Sequence, residues 1–241
     1  MDTARSPLAT YEQLAKMIDH SLLRPELTEE QVVGGCKLAI RYNVANVTVR
    51  PSDADLAVNL MKDSGLPVGS VVGFPHGAVT TPVKLYETRD LLRRGVKEID
   101  MVINIGKLLS RQFQYVETEL AQMAETCHEQ GAILKVIFEN AYLTDDLKII
   151  ACKISKRAGV DFTKTSTGFA ATGATIEDLR LMYQHCAPVV QVKAAGGVRT
   201  LEKAIEVYEV GCSRFGATAT AEILDAWKER LAQQPAATST A

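Results

Sequence analysis

One structural unit recurs along most of this chain: a helical pattern ends in a small or left-handed residue, and a short apolar strand begins at once. Asn43, which is able to take the left-handed conformation that ends a helix, precedes one such strand. Glycines precede five others, at Gly65, Gly95, Gly131, Gly159 and Gly211. Eight strands alternate with helices over roughly 220 residues, which is the count and size of a (β/α)8 barrel. We therefore predict an α/β fold of the TIM-barrel type.

A doubly wound open sheet is the competing architecture. It would normally carry a glycine-rich dinucleotide-binding turn after its first strand, and residues 23–27 contain no glycine. The helix starts are also alike: Thr28 and Gln31 have the form of a capping box, and we predict N-caps at Ser52, Thr81, Thr144, Thr175 and Thr200. The predicted organisation is a flexible leader over residues 1–10, one barrel domain over 11–232, and a disordered tail over 233–241.

Composition excludes several classes of function. The chain has 241 residues and a formal net charge of −2, which does not favour binding to nucleic acid or to an anionic membrane. It has no apolar stretch long enough to span a bilayer, and its first residues lack the apolar core of a signal peptide. The cysteines and histidines form no metal-binding spacing. We expect reduced thiols in a cytoplasmic protein, with no metal and no cofactor.

A lysine in the middle of a strand is the unusual feature of residues 161–169. Parallel strands covered by helices are normally apolar, so the ammonium of Lys164 needs a partner, a cavity or a lowered pKa. A lysine that loses its proton easily is a nucleophile toward carbonyls, through a Schiff base. The alternative is a lysine that is ion-paired inside the barrel for structural reasons only.

Alternation along the predicted strands sends several ionisable side chains into one barrel interior. They are Asp100, Lys135, Lys164 and Lys193, with Asp19 as a fifth candidate. Two lysines ~7 Å apart at an effective dielectric of ~20 repel each other by roughly 2.4 kcal/mol, which favours a free amine near neutral pH. A carboxylate between them is suited to moving protons through water. A lysine–aspartate network that only fixes the barrel is the structural alternative.

Glycine-rich loops follow the sixth, seventh and eighth predicted strands. Gly168 ends the sixth, the loop at 194–199 ends the seventh, and Gly216 lies in the eighth. Loops in these places, next to helix N-termini, are the usual phosphate position on this fold. Arg199 is a candidate either for binding the phosphate or for a local cap.

Six motifs resemble the deoxyribose-phosphate aldolase family, and they occur in order from about residue 15 to residue 225. They are residues 18–25, 72–78, 98–106, 134–139, 161–169 and 192–199. The resemblance implies a class I aldolase that reversibly cleaves 2-deoxy-D-ribose 5-phosphate to D-glyceraldehyde 3-phosphate and acetaldehyde, in deoxyribonucleoside catabolism. The partners it implies are therefore a small sugar phosphate and aldehydes.

The resemblance also assigns roles to individual residues. Lys164 would form the Schiff base, Lys193 would depress its pKa, and Asp100 would move protons with water. Asp19 and Lys135 would support this polar core. The phosphate would be held by the loops at Gly168, Gly196, Gly197, Val198 and Gly216.

The chain departs from the family pattern in four places. One is that the sequence ends without the C-terminal tyrosine found in some members, which leaves the residue for the late proton transfer open. Thr218 and Ala219 stand where serines are common, Asn140 replaces a threonine, and Arg50 stands where an uncharged polar residue is expected. We expect Arg50 to face the mouth of the pocket, where it would alter substrate choice.

Three other functions stay open at this point. One is a Schiff-base aldolase for a different aldehyde pair, and another is a catalytically silent barrel that binds sugar phosphates. The third, a metal-dependent class II aldolase, is disfavoured because the ligand pattern is missing. A homodimer is the assembly suggested by enzymes of this kind, although the sequence contains no interface signal.

Overall fold

The computed structural model describes residues 5–233, which form a closed barrel of eight parallel strands in chain order. Each strand pairs with the next, and the ring closes where Ile18 of the first strand lies beside Phe215 of the last. The strands are β1 (Ile18–Leu22), β2 (Asn46–Val49), β3 (Val68–Val72), β4 (Glu98–Val102), β5 (Ile133–Ile137), β6 (Phe162–Lys164), β7 (Gln191–Ala194) and β8 (Arg214–Ala217). The predicted (β/α)8 barrel is confirmed.

Helices surround the barrel and connect its strands. Within residues 5–233 they are α1 (Tyr11–Ala15), α2 (Glu29–Tyr42), α3 (Ala54–Met61), α4 (Thr81–Arg93), α5 (Ile105–Leu109), α6 (Phe113–His128), α7 (Asp145–Ala158), α8 (Ile176–Cys186), α9 (Leu201–Glu209) and α10 (Thr220–Gln233). Short 3-10 turns at Pro51–Asp53 and Asn140–Tyr142 precede α3 and α7. No helix in this described part is long and apolar enough to cross a membrane.

Most of the predicted helix ends are confirmed. Thr28 and Gln31 form the capping box of α2, and Asn43 ends that helix in the left-handed conformation with φ 48°. Thr144, Thr175 and Thr200 are the N-caps of α7, α8 and α9.

Two of the predicted N-caps are displaced. The prediction at Ser52 is wrong because the chain first makes a 3-10 turn, so that Asp53 is the N-cap of α3. Thr81 is the first residue of α4 and not its cap, because Thr80 holds the extended cap conformation.

The register of the sheet brings the interior charges side by side. Asp100 on β4 is the Cα partner of Lys135 on β5, and Lys164 on β6 is the partner of Lys193 on β7. Their apolar neighbours along each strand face the helices and form the main hydrophobic core between sheet and helices. The sixth strand is shorter than predicted, because after Lys164 the chain leaves the sheet and forms the loop above it.

Part of the predicted leader contacts the barrel. The Arg5 guanidinium donates to the carbonyl oxygen of Cys212 at 2.7 Å, and the Tyr208 hydroxyl donates to the carbonyl oxygen of Ser6 at 2.7 Å. Leu8 is buried. The rest of the leader, residues 1–4, and residues 234–241 of the predicted tail lie outside the described residues.

Candidate active site

Three lysine ammonium groups converge on one carboxylate inside the barrel. Lys164 Nζ lies 2.7 Å from Asp100 Oδ2, and Lys193 Nζ lies 2.8 Å from the same oxygen. Lys135 Nζ donates to Asp100 Oδ1 at 3.0 Å. All four side chains are buried. The four residues were predicted to share one interior, and the structure brings them into direct contact.

Asp19 forms a second carboxylate centre beside the first. Its Oδ2 lies 2.5 Å from Lys193 Nζ and 3.1 Å from Lys135 Nζ, and its Oδ1 accepts a hydrogen bond of 2.6 Å from Arg214. Lys135 and Lys193 therefore each bridge Asp19 and Asp100. Asp19 and Lys135 therefore lie in the same polar core as Asp100.

A lower layer of charge was missed by sequence reasoning. The carboxylate of Glu98 accepts hydrogen bonds from Lys135 and from the Asn46 amide, and its other oxygen lies 3.5 Å from Arg214. Glu98 is buried. The signal was present, because Glu98 precedes Asp100 by two residues and Arg214 precedes Gly216 by two, so alternation places them on the same inward faces.

The pKa of Lys164 is lowered to about 8. Burial is the largest cause, Asp100 opposes it, and the ammonium groups of Lys193 and Lys135 add to the lowering. Sequence reasoning had assigned the shift to repulsion between lysines; the structure makes desolvation the larger cause. Burial acts in the opposite sense on Asp100, but the three ammonium groups outweigh it and hold the pKa of Asp100 well below its usual value.

Lys135 is held in its charged form. Burial alone would lower its pKa, but Asp100, Asp19 and Glu98 raise the pKa above the ordinary lysine value. The whole cluster contains four cations and three carboxylates, so it is electrically balanced when Lys164 is the neutral amine. The arrangement therefore favours a free amine at one particular lysine.

A cavity of about 500 Å³ opens directly above this cluster. Lys164, Lys193 and Asp19 reach its floor, whereas Asp100 and Lys135 lie below and do not line it. The predicted phosphate-loop residues all line its walls, namely Gly168, Gly196, Gly197, Val198 and Gly216. Arg24, Arg199 and Thr218 also line the cavity.

Two of the loops around the cavity are joined backbone to backbone. The amide of Ala174 donates to the carbonyl oxygens of Ala195 and Gly196, at 3.0 and 2.9 Å. A Cβ on Gly173 would lie 2.4 Å from the carbonyl oxygen of Gly196, which is closer than real Cβ contacts allow. Gly196 itself has φ 81°, in the left-handed region that favours glycine. Glycine is therefore required at both positions by the close approach of the loops.

Glu139 is a further residue whose role sequence reasoning missed. It follows β5 with a left-handed backbone, at φ 55°, which is unusual for a non-glycine residue. Its buried carboxylate accepts hydrogen bonds from the backbone amide and the hydroxyl of Thr167, a cavity-lining residue. Glu139 thus fixes the loop that follows Lys164.

The expectation that Arg50 faces the pocket mouth is wrong. Its guanidinium pairs with Asp53 at 2.5 Å and donates to the carbonyl oxygens of Arg24 and Pro25, so it joins two loops and does not line the cavity. Asn140 is buried, with its amide 3.3 Å from the Met182 sulfur, and it also lies outside the cavity lining. Thr218 does line the cavity.

Within residues 5–233, no three His, Cys, Asp or Glu side chains are grouped as a metal site.

The chain matches the family model described as DeoC/LacD family aldolase over residues 14–220. The deoxyribose-phosphate aldolase of Clostridium kluyveri is 46% identical over 213 residues, which is 88% of this chain and 97% of that protein. The Clostridium perfringens enzyme of the same name is 44% identical over 214 residues, 89% of this chain and 95% of that protein. This chain belongs to the deoxyribose-phosphate aldolase family.

Solved structures agree with this family and with its fold. A putative deoxyribose-phosphate aldolase from Coccidioides immitis superimposes with a TM-score of 0.88 and 34% identity, covering 92% of this chain and 88% of that one. The deoxyribose phosphate aldolase from Aeropyrum pernix, described as having a unique tetrameric structure, gives 0.86 and 30%, covering 92% and 94%. The family resemblance and the aldolase class predicted from the motifs are confirmed.

Proposed function

We propose that this protein reversibly cleaves 2-deoxy-D-ribose 5-phosphate to acetaldehyde and D-glyceraldehyde 3-phosphate through a Schiff base on Lys164. One observation carries the proposal: a buried lysine with a pKa of about 8 reaches the floor of a cavity lined by glycine loops. Family membership supports the aldolase class. The assignment of steps to single residues is our own.

The first step of the proposed reaction is formation of an imine between Lys164 and the substrate. The Lys164 amine attacks the C1 aldehyde carbon of the open-chain sugar, and the carbonyl oxygen takes up a proton. Loss of water then leaves a protonated imine. Lys193, an ammonium at the same floor, lies within reach as the proton donor, while Asp100 orients both amino groups through its Oδ2.

Carbon–carbon cleavage follows, because the protonated imine is an electron sink. The C3 hydroxyl gives up its proton, the C2–C3 bond breaks, and its electrons form an enamine on Lys164 as D-glyceraldehyde 3-phosphate leaves. Protonation of the enamine at C2, then hydrolysis, releases acetaldehyde. We assign these proton transfers to Asp100 acting through water, with Asp19 and Lys135 holding its position.

The phosphate is assigned to the upper wall of the cavity. Gly168, Gly196, Gly197, Val198 and Gly216 line this wall close to the N-termini of α9 and α10, where helix dipoles favour anions. Arg199 and Arg24 add positive charge there. Arg50 pairs with Asp53 and does not line the cavity. It therefore gives no reason to expect that the enzyme acts on a different pair of aldehydes.

The oligomeric state and the cellular location of the protein are the last parts of the proposal. The Aeropyrum pernix relative is described as a tetramer, which supports an oligomer for this chain as well. The homodimer and the cytoplasmic location expected from the sequence remain predictions.

Imine trapping with borohydride tests the proposal most directly. The protein is incubated with acetaldehyde, reduced, digested and mapped by mass spectrometry. We expect one ethyl adduct at Lys164, and we expect Lys164→Ala to abolish both the adduct and the cleavage of deoxyribose 5-phosphate while the protein stays folded. Lys148→Ala, which removes a lysine from the helix layer, is the matched control and should keep both. An adduct elsewhere, or turnover by Lys164→Ala, would refute the assignment.

A further inference from the structure

Two charged residues lie below the active-site lysines and do not line the cavity. Glu98 at the start of β4 and Arg214 at the start of β8 approach each other to 3.5 Å. Glu98 is 2% exposed at its side chain, and Arg214 is 18% exposed. Burying a carboxylate costs free energy even when the carboxylate is paired. A buried charged layer is therefore a poor way to fill the barrel, which points to a function for these two residues.

Each member of this pair is connected to Asp100 by its own chain of contacts. Glu98 binds Lys135, which donates to Asp100 Oδ1 at 3.0 Å. Arg214 donates to Asp19 at 2.6 Å, Asp19 pairs with Lys193 at 2.5 Å, and Lys193 reaches Asp100 Oδ2 at 2.8 Å. Asp100 Oδ2 is also the oxygen that Lys164 contacts. The two chains therefore end on the same carboxylate, one at each oxygen.

We infer that Glu98 and Arg214 are positioning residues that set, from opposite sides, the charge balance felt by Lys164 without touching the substrate. The inference rests on the proposed role of Lys164 as the Schiff-base lysine. It extends the catalytic cluster from the cavity floor to the bottom of the barrel. It also assigns the two residues opposite effects, which a merely structural ion pair would not have.

The sign of each effect follows from the groups around it. Glu98 is faced by Lys135 from β5, Arg214 from β8 and the Asn46 amide from β2. Removing its charge frees Lys135 to hold Asp100 more closely and leaves the cluster more positive. Both changes disfavour the ammonium form of Lys164, so its pKa should fall.

Arg214 is faced by Asp19 from β1 and Glu98 from β4, with the Phe162 ring and the Lys16 ammonium nearby. Removing its charge leaves Asp19 to draw Lys193 away from Asp100. Asp100 then interacts more strongly with Lys164, and the cluster also loses a cation. Both changes favour the ammonium form, so the pKa of Lys164 should rise.

The test is the pH dependence of kcat/KM for deoxyribose 5-phosphate cleavage, which reports groups of the free enzyme. We expect Glu98→Gln to move the rising limb of the profile to lower pH and Arg214→Met to move it to higher pH, each by about half a unit or more. The conservative variants Glu98→Asp and Arg214→Lys keep the charges and should restore most of the wild-type profile. They also provide a second measurement if either neutral variant folds poorly.

A matched control is available in the helix layer. Glu119 on α6 is as fully buried as Glu98 and pairs with Lys84 on α4 at 2.9 Å, outside the sheet. Glu119→Gln should lower the melting temperature and leave the profile within about 0.2 pH units. If the pH profile of Glu119→Gln is unchanged, the shifts in the other two variants come from charge at the active site and not from a general loss of stability.

The outcomes are distinguishable from failure of the proposed function. If borohydride still traps acetaldehyde on Lys164 but either folded neutral variant leaves the profile unchanged, or shifts it against its predicted direction, the inference is overturned. If trapping on Lys164 fails in the wild-type protein, the proposed function itself is wrong. A shift to lower pH in Glu98→Gln and to higher pH in Arg214→Met, with trapping intact, supports a role for the lower layer in setting the pKa of Lys164.

Discussion

Lys164 and Lys193 are neighbours on adjacent strands and share one oxygen of Asp100, yet only Lys164 lacks a second carboxylate. Lys193 also contacts Asp19, at 2.5 Å, whereas Asp100 is the one carboxylate paired with Lys164 among the described residues. A lysine with two acidic partners keeps its proton more readily than a lysine with one. The surroundings of the two buried amines therefore differ by one carboxylate contact, that between Lys193 and Asp19.

Sequence alternation was sufficient to place these lysines in the interior, because side chains along a strand take opposite faces in turn. It was not sufficient to rank the causes of the shifted pKa of Lys164. Burial depends on how the loops close over the barrel, and the sequence contains no measure of that. The same limit explains Arg50, whose partner Asp53 lies in a turn that sequence reasoning had assigned to a helix cap.

The buried histidine His20 should make the free energy of unfolding depend on pH in the acid range. Its ring is buried on the outer side of β1, with Nδ1 2.8 Å from the Thr220 hydroxyl, and burial lowers its pKa to about 4. In the unfolded chain the pKa is near 6.5, so between pH 6.5 and 4 the unfolded state binds more protons and stability falls as pH falls. The full loss from this group is about 3 kcal/mol.

His20→Asn should remove that sensitivity. Although the variant will be less stable at pH 7, its deficit relative to wild type should shrink as the pH is lowered from 7 to 4.5. Denaturant unfolding at both values measures the two free energies. Parallel pH dependence in the two proteins would contradict a neutral, buried imidazole at this position.

At the scale of elements, the loops after β6 and β7 form one unit through contacts between their glycines. The positions of the strands and most helix caps were predictable, because both follow from local patterns. The contact between Gly173 and Gly196 was not, since it joins two loops whose relative placement depends on the register of the whole barrel. Glu139 and Thr167 were missed for the same reason.

Gly173→Ala should disturb substrate binding more than chemistry. The added Cβ would lie 2.4 Å from the Gly196 carbonyl oxygen, so the β7–α9 loop, to which we assign phosphate binding, has to move away from its present position. We expect KM for deoxyribose 5-phosphate to rise roughly tenfold, which corresponds to about 1.4 kcal/mol. The rate of imine trapping with acetaldehyde, which has no phosphate, should stay within about twofold.

Gly34→Ala is the matched control for that experiment. Gly34 is exposed in α2, and an added Cβ meets nothing within 4 Å. This change should raise helix stability by about 0.5–1 kcal/mol and leave KM unchanged. If Gly173→Ala also leaves KM unchanged, the phosphate is not held by the paired glycine loops.

At the scale of the whole molecule, the site exists only when the barrel is closed. Asp19 comes from the first strand, while Lys193 and Arg214 come from the last two, and 195 residues separate Asp19 from Arg214. No local segment therefore contains both carboxylates and their partners. The repeat of eight units predicted that the ring closes, but which polar side chains meet across the closure depends on the stagger of the strands.

The cysteines offer a measurement of how cooperatively this ring opens. All five are free and fully buried, and they are spread around the molecule at Cys36, Cys127, Cys152, Cys186 and Cys212. Because none is accessible in the folded state, a thiol reagent modifies each one only after its surroundings open. If the barrel opens as one unit, all five thiols become accessible in the same event.

We therefore expect mass spectra of the partly labelled protein to contain molecules with no label or with five, and few with intermediate numbers. The experiment requires a reagent concentration at which labelling is faster than reclosing, so that each opening event is recorded. Protein unfolded in denaturant is the control and should take up five labels at once. A population with one or two labels under native conditions would show that one sector of helices opens on its own. Since Asp19, Lys193 and Arg214 hold the closing strands together, labelling of Cys212 ahead of the others would place the weakest point of the ring at its active-site seam.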